Sequence, residues 1–326
     1  MDRSKASARP YDVVCLGETM VMITPTPGGR LSSDSTFVLR AGGAESNVAM
    51  YLAGLGHSAA WMSRVGADPL GDLLVGQVAA AGAQPLVERV AGVPTGIYFK
   101  DPQPGRTRVY YYRKGSAASS MDPAFGARMS GVDTRIMHLS GITAALSPSC
   151  HDLIESLLSG GAEGATISFD VNYRPVLWPD RQRAADDLLR MASAADIVFV
   201  GLDEAHALWG ATTAEDVRTL IAVPGTLVVK DGAVEATAFH ADGRTVVPAL
   251  SVDVVEPVGA GDAFAAGWLS GALRGLDHEA RLRLGHFVAG LALSSLEDFV
   301  ALPSPAAIGA RLALDPALWP SPSDVA

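Results

Sequence analysis

The chain is poor in cysteine, with only Cys15 and Cys150 among 326 residues. No C-x-x-C pair occurs, so neither a thiolate zinc site nor a dithiol redox centre is expected. Cys15 lies inside the apolar run Val13-Val14-Cys15-Leu16 and reads as an inert core residue. Long hydrophobic runs are also lacking. No stretch stays apolar over ~18 residues, so no membrane span is expected. The first ten residues, MDRSKASARP, are polar and have no apolar centre, so they do not read as a signal peptide. Basic residues are in deficit, 25 Lys and Arg against 35 Asp and Glu, a net charge of −10. A nucleic-acid partner requires a basic face and is not expected. An anionic small molecule needs only a local basic pocket. The default is therefore a cytoplasmic enzyme. Two nucleotide signatures are missing as well. There is no G-x-x-x-x-G-K-[ST], and no G-x-G-x-x-G follows Gly17. His57, His138, His151, His206, His240, His278 and His286 show no metal-ligand spacing and read as surface or satisfied core residues.

What is present is a strand–helix rhythm in a chain that is 48% hydrophobic. Apolar runs at 13–17 and 59–65 read as buried strands. Residues 21–25 and 37–40 read as further extended pieces, with the turn Pro27-Gly28-Gly29-Arg30 between them. Further strand-like runs at 136–140, 166–170, 196–200 and 226–230 are spaced about 30 residues apart, the length of a βαβ unit. Helical segments fall at 48–55, 68–82, 148–158, 180–194 and 203–209. This spacing predicts an α/β fold, a doubly wound, mostly parallel sheet with helices on both faces. Residues 95–100 and 106–113 alternate and are joined by Asp-Pro-Gln-Pro-Gly, which predicts a hairpin. A hairpin exposed on one side does not fit a sheet covered on both faces, so it is assigned to a small β-sheet lid. The expected organisation is one domain over 11–310, with lid segments about 18–42 and 93–114 inserted and tails at 1–10 and 311–326.

The densest signal is Glu256-Pro257-Val258-Gly259-Ala260-Gly261-Asp262-Ala263-Phe264, a glycine turn feeding a helix with an apolar stripe at Ala265, Trp268, Leu269, Ala272 and Leu273. Gly259 and Gly261 permit close backbone approach, and free N–H groups at a helix start favour an anion. Asp262 has two readings there: a helix cap, or a proton acceptor beside a bound phosphate.

Other polar groups fall at informative places. Ala41-Gly42-Gly43-Ala44-Glu45-Ser46-Asn47 opens a helix, either as a ligand loop or as a linker capped by Ser46. In Tyr110-Tyr111-Tyr112-Arg113, a strand would direct Tyr111 and Arg113 to one face and Tyr110 and Tyr112 to the other. Arg113 then either grips a carboxylate or covers aromatic surface. Asp170, Asn172 and Arg174 alternate, so an extended strand end would place all three on one side, with Pro175 keeping Arg174 extended.

GAGDAFAAG resembles the signature of the ribokinase-like (PfkB) carbohydrate kinases. YYR-x-G-S-A-A and F-D-x-N-x-R-P-x-L-W are similar to runs of the 2-keto-3-deoxygluconate kinases within that family. The resemblance spans about residues 11–310. It implies an ATP-dependent kinase for the terminal hydroxyl of 2-keto-3-deoxygluconate, giving the 6-phosphate. Asp262 would be the base, with Gly259, Ala260 and Gly261 supplying N–H groups to the transferring phosphoryl. Gly42, Gly43, Asn47, Tyr98, Tyr111, Arg113, Asn172, Arg174 and Asp298 would contact the sugar. Lys230 and Gly232, matching K-x-G, would border the nucleotide together with Gly259 and Gly261. Glu204 would organise Mg2+. Gly201 stands where the family carries Asn, a departure from the family's metal motif. Glu256 replaces the aspartate that in the family often helps hold a monovalent cation such as potassium, keeping the charge on a longer side chain. The partners implied are a small-molecule sugar or sugar acid and ATP, with a homodimer or higher homo-oligomer expected. A kinase of a neutral sugar, such as a fructokinase, and a non-catalytic sugar-binding relative remain as alternatives.

Overall fold

The computed structural model describes residues 10–26, 30–103, 106–129, 131–161, 164–295 and 297–312. The expected turn residues Pro27, Gly28, Gly29, Pro104 and Gly105, and nearly all of both expected tails, lie outside these.

The chain begins with β1 (Tyr11–Leu16), β2 (Met20–Thr26) and β3 (Thr36–Gly42), then α1 (Ala44–Gly54), β4 (Ala59–Gly66), α2 (Pro69–Ala80) and β5 (Gln84–Val90). The hairpin β6 (Ile97–Gln103) and β7 (Arg106–Tyr112) follows, then α3 (Pro123–Met129), β8 (Thr134–Ser140), α4 (Gly141–Ala144) and α5 (Pro148–Ser156). Next come β9 (Thr166–Asp170), α6 (Arg181–Ala194), β10 (Ile197–Gly201), α7 (Leu202–Trp209), α8 (Ala214–Leu220) and β11 (Thr226–Asp231). The last part is the hairpin β12 (Glu235–His240) and β13 (Gly243–Pro248), then α9 (Ala260–Leu273), α10 (His278–Leu293) and α11 (Pro305–Leu312). α11 runs past the boundary expected at 310.

Nine strands form one sheet in the order β13-β12-β11-β10-β9-β8-β1-β4-β5. The pairs from β11 through β5 are parallel, and β12 and β13 add an antiparallel edge. β1 carries the reason for two covered faces. Val13 and Cys15 enter one apolar core with α1, α9 and α10, while Val14 and Leu16 enter a second core on the opposite face. Winding leaves β1 in one direction towards β4 and β5 and in the other towards β8 and β9. The crevice beyond the carboxyl ends of β1 and β8 is thus the topological switch point, where open α/β sheets bind ligands.

A second sheet, β3-β2-β6-β7, stands apart from the first. Its hairpin pairs Tyr98 with Tyr111. No helix among the described residues is long and apolar enough to cross a membrane.

The sequence reading omits β5, α3, α4, α8, α10, α11 and the β12–β13 hairpin. β5 carries Pro85 and charged residues, as an edge strand can, and so lacks the continuous apolar run of its neighbours. Asp242-Gly243, a hairpin dipeptide between two alternating runs, was the available signal for β12–β13.

Candidate active site

A cavity of about 340 Å3 opens at the switch point, between the two sheets. One wall is the start of α9. Gly259 is the residue before that helix and has φ +86°. A side chain there would also meet the Asp298 carbonyl at 2.6 Å, so glycine is required twice over. The first helical bond runs from Ala263 N–H to the Gly259 carbonyl at 3.0 Å. The N–H groups of Gly261 and Asp262 precede it, at the positive end of the helix dipole. Ala260 N–H donates to the Pro257 carbonyl at 3.4 Å, and Ala260 does not line the cavity.

Asp262 is the third residue of α9, and its side chain does not cap the helix. Its Oδ2 accepts a hydrogen bond from Asn47 Nδ2 at 2.9 Å, across 215 residues of sequence. Asp262 is half-buried and lines the cavity. Burial pushes its pKa up to about 7, against a lowering by Asn47 and a further rise from Asp170. A group so poised exchanges a proton near neutral pH.

Asn47 is presented by the first turn of α1. Gly43 precedes the helix, and Ser46 Oγ donates back to the Gly43 carbonyl at 3.0 Å instead of capping. Asn47 Oδ1 is buried without a hydrogen-bond partner, as is Asn172 Oδ1. Both asparagines line the cavity, and each can receive a hydroxyl proton there. At Gly42 a Cβ would fall 2.0 Å from the Tyr98 hydroxyl, so the glycine makes room for the tyrosine.

β9 ends at Asp170, and Asn172 has φ +39°, so the segment is not the extended run expected. Its three polar residues still reach one cavity because the left-handed turn at Asn172 reorients the chain. Arg174 is extended, as expected, at φ −125° and ψ 100°. Its guanidinium lies 3.5 Å from Glu204 Oε1, and the side chain is about half exposed.

Tyr111 and Arg113 face the cavity from β7 and the residues after it. Arg113 is not a free cation. Its Nε donates to Glu18 Oε2 at 2.6 Å, and Glu18 is fully buried. Ser116 Oγ donates to the other Glu18 oxygen. Sequence reasoning did not identify Glu18. It follows β1 at the switch point, which was the signal available.

Asp170, Glu204 and Lys230 form a second charged group. Lys230 Nζ is 3.0 Å from Asp170 Oδ2. Burial lowers the Lys230 pKa, but Asp170 and Glu204 outweigh it, and the net direction is upward. Glu204 is pushed up by burial and then by Asp170, although Gly201 N–H donates to its Oε2 at 2.9 Å. A crowded carboxylate of this kind suits a hard divalent cation with oxygen ligands. Asp170 is already held by the Lys230 ammonium, so Glu204 is the carboxylate that fits Mg2+, and the backbone N–H at Gly201 orients it where the family carries Asn. Gly232 lies in the turn between β11 and β12 with φ +48° and does not line the cavity.

The third charged group is Asp298, Lys100 and Glu256. Asp298 accepts from the Tyr98 hydroxyl at 2.6 Å and from Lys100 Nζ at 2.6 Å. Lys100 Nζ is also 3.9 Å from Glu256 Oε2. All three residues are buried. Glu256 therefore does not fit as a ligand of a free monovalent cation, because a protein ammonium already faces it.

His240, Asp242 and His278 bring ligand atoms within 4.8 Å of one another, a grouping that sequence spacing did not reveal. The two rings stack 3.5 Å apart and 5° from parallel. Their lone pairs therefore run side by side and do not converge on an ion, and none of the three lines the cavity.

The pattern described as pfkB family carbohydrate kinase matches residues 11–304. The chain is 35% identical to the 2-dehydro-3-deoxygluconokinase of Bacillus subtilis, covering 90% of this chain and 93% of that one. It is 32% identical to the 2-dehydro-3-deoxygalactonokinase of Haloferax volcanii, covering 86% and 90%. A crystal structure of 2-dehydro-3-deoxygluconokinase from Thermotoga maritima superposes with a TM-score of 0.81 at 26% identity, covering 91% of this chain and 97% of that one. With the match spanning nearly the whole described chain, the protein belongs to the pfkB family of carbohydrate kinases and is an ATP-dependent sugar kinase.

Proposed function

We propose that the enzyme phosphorylates the terminal hydroxyl of 2-keto-3-deoxygluconate, giving the 6-phosphate and ADP. The observation that carries this reading is the approach of Arg113 and Arg174 to one cavity that also holds Asp262. A sugar acid is an anion, and burying its carboxylate is costly unless charged donors replace water. Arg113 lies on the lid side and Arg174 on the side of the large sheet, which suits them to that task.

Asp262 orients the hydroxyl and accepts its proton, with Asn47 holding the carboxylate in place. The N–H groups at the start of α9 face the charge that develops on the transferring phosphoryl, and Lys230 adds a fixed cation nearby. When bound near Glu204, Mg2+ supplies charge neutralisation of the phosphate oxygens. Asn172, Tyr111 and Asp298 border the sugar. Most of the catalysis is then positioning and electrostatic stabilisation.

One observation favours a second reading. Glu18 offsets the charge of Arg113, which leaves Arg174 as the less committed arginine and makes the pocket more suitable for a neutral sugar. A coupled ADP-release assay over 2-keto-3-deoxygluconate, its galactonate epimer, gluconate, ribose and fructose decides between them. Preference for either keto-deoxy acid by tenfold or more supports the first reading, and preference for fructose hands the assignment to the second.

A further inference from the structure

We infer that the ammonium of Lys100 is the resident cation of the turn that begins α9, so that the enzyme needs no monovalent metal ion there. This rests on the kinase reading only for its kinetic arm. Lys100 belongs to β6 of the small sheet, yet its side chain is only 2% exposed. It ends between two buried carboxylates of the large domain, 2.6 Å from Asp298 Oδ1 and 3.9 Å from Glu256 Oε2. Glu256 stands three residues before Gly259, and its Oε1 accepts from Val258 N–H at 3.4 Å. The Asp298 carbonyl packs on the Gly259 backbone from the other side.

Both segments that shape the turn thus carry a buried negative charge, close to the place where a phosphoryl group develops its own. Buried carboxylates need a partner, and an uncompensated pair beside the turn would oppose an anion bound at it. Lys100 supplies that partner from within the chain. Because it is carried by the lid sheet, it also fixes the lid to the turn. Lys100 is a positioning residue: it acts through Glu256 and Asp298 and does not line the cavity.

The test compares K+ with tetramethylammonium at constant ionic strength, the second ion being too large to enter a buried site. Wild-type kcat and Tm are expected to agree within about twofold and about 1 °C between the two salts. Lys100→Met should lower Tm and cut kcat about tenfold or more in tetramethylammonium. K+ should restore part of both, and Glu256→Gln in the Lys100→Met background should abolish the K+ response. Several-fold activation of wild type by K+ overturns the inference and needs no variant to read. Lys100→Met that is unimpaired overturns it, and so does an impaired variant indifferent to K+, which would make Lys100 a structural clasp alone. If no sugar is phosphorylated in either salt, the kinase reading fails, while the Tm arms still decide the question of the cation.

Discussion

Arg113 and Glu18 form a buried ion pair, Nε to Oε2 at 2.6 Å, across 95 residues of sequence. The arginine that faces the cavity from the lid side is therefore held by a carboxylate from the end of β1. Removing it exposes two functions at once. Arg113→Ala should destabilise the fold by about 3–5 kcal/mol, because Glu18 is left buried and unpaired. Thermal unfolding of Arg113→Ala beside Glu18→Gln/Arg113→Ala checks this. The double variant should recover much of the loss, and equal stability of the two would remove the argument.

Arg174 gives the cleaner test of substrate charge, because its side chain is about half exposed and its contact with Glu204 is long. Arg174→Ala should leave Tm nearly unchanged. It should lower kcat/KM for 2-keto-3-deoxygluconate by about 30-fold or more, the equivalent of ~2 kcal/mol for a lost charged contact. The loss for fructose should be much smaller. Equal losses for acid and neutral sugar would mean that Arg174 serves folding or the nucleotide.

Asp262→Asn should fold normally and reduce kcat by ~10³ with little change in sugar affinity, general-base contributions running from about 10² to 10⁴. In the wild type, kcat should fall as the pH drops below about 7, where Asp262 takes up its proton. A variant keeping a tenth of wild-type kcat, or a flat profile between pH 5 and 8 with wild type, would contradict the assignment.

The same carboxyl makes a prediction about stability. Its folded pKa of about 7 stands above the ordinary 3.8, so the folded state binds the proton more tightly. Asp262 therefore favours folding fully below pH 3.8, and that contribution is lost as the pH rises through about 7. Above that, its burial as an anion costs up to about 4 kcal/mol, at ~1.4 kcal/mol per unit. Asp262→Asn should raise Tm relative to wild type at pH 8 and match it near pH 4. A variant less stable than wild type at pH 8 would refute this.

The hairpin β6–β7 should gain hydrogen-exchange protection when the sugar binds, since Tyr98 and Tyr111 border the cavity and Tyr98 already bonds Asp298. Absence of added protection over 97–112 would count against closure of the small sheet.

Much of this was legible in the chain itself. The apolar runs 13–17, 136–140, 166–170, 196–200 and 226–230 each lie in a strand of the large sheet, overrunning it by one residue at most, because a strand covered on both faces must be apolar throughout. The one-sided alternation of 95–113 separated the small sheet for the converse reason. Gly259 and Gly261 marked a close approach, and the apolar stripe behind them marked α9. Local pattern failed at the edge strand β5, where Pro85 and charged residues break the continuous apolar run. It also failed at Asn172, whose positive φ no alternation rule anticipates.

The sequence by itself determined the kinds of group available, the glycine turn, and the placement of Asp262 at a helix start. Tertiary structure alone decided which charges meet. Asn47 reaches Asp262, Glu18 holds Arg113, Asp170 holds Lys230, and Lys100 lies between Asp298 and Glu256. Each of these pairs spans at least 60 residues of sequence. No local spacing encodes them, because the crossover connections of the sheet bring distant strand ends to one crevice, and burial there sets how strongly each charge depends on its partner.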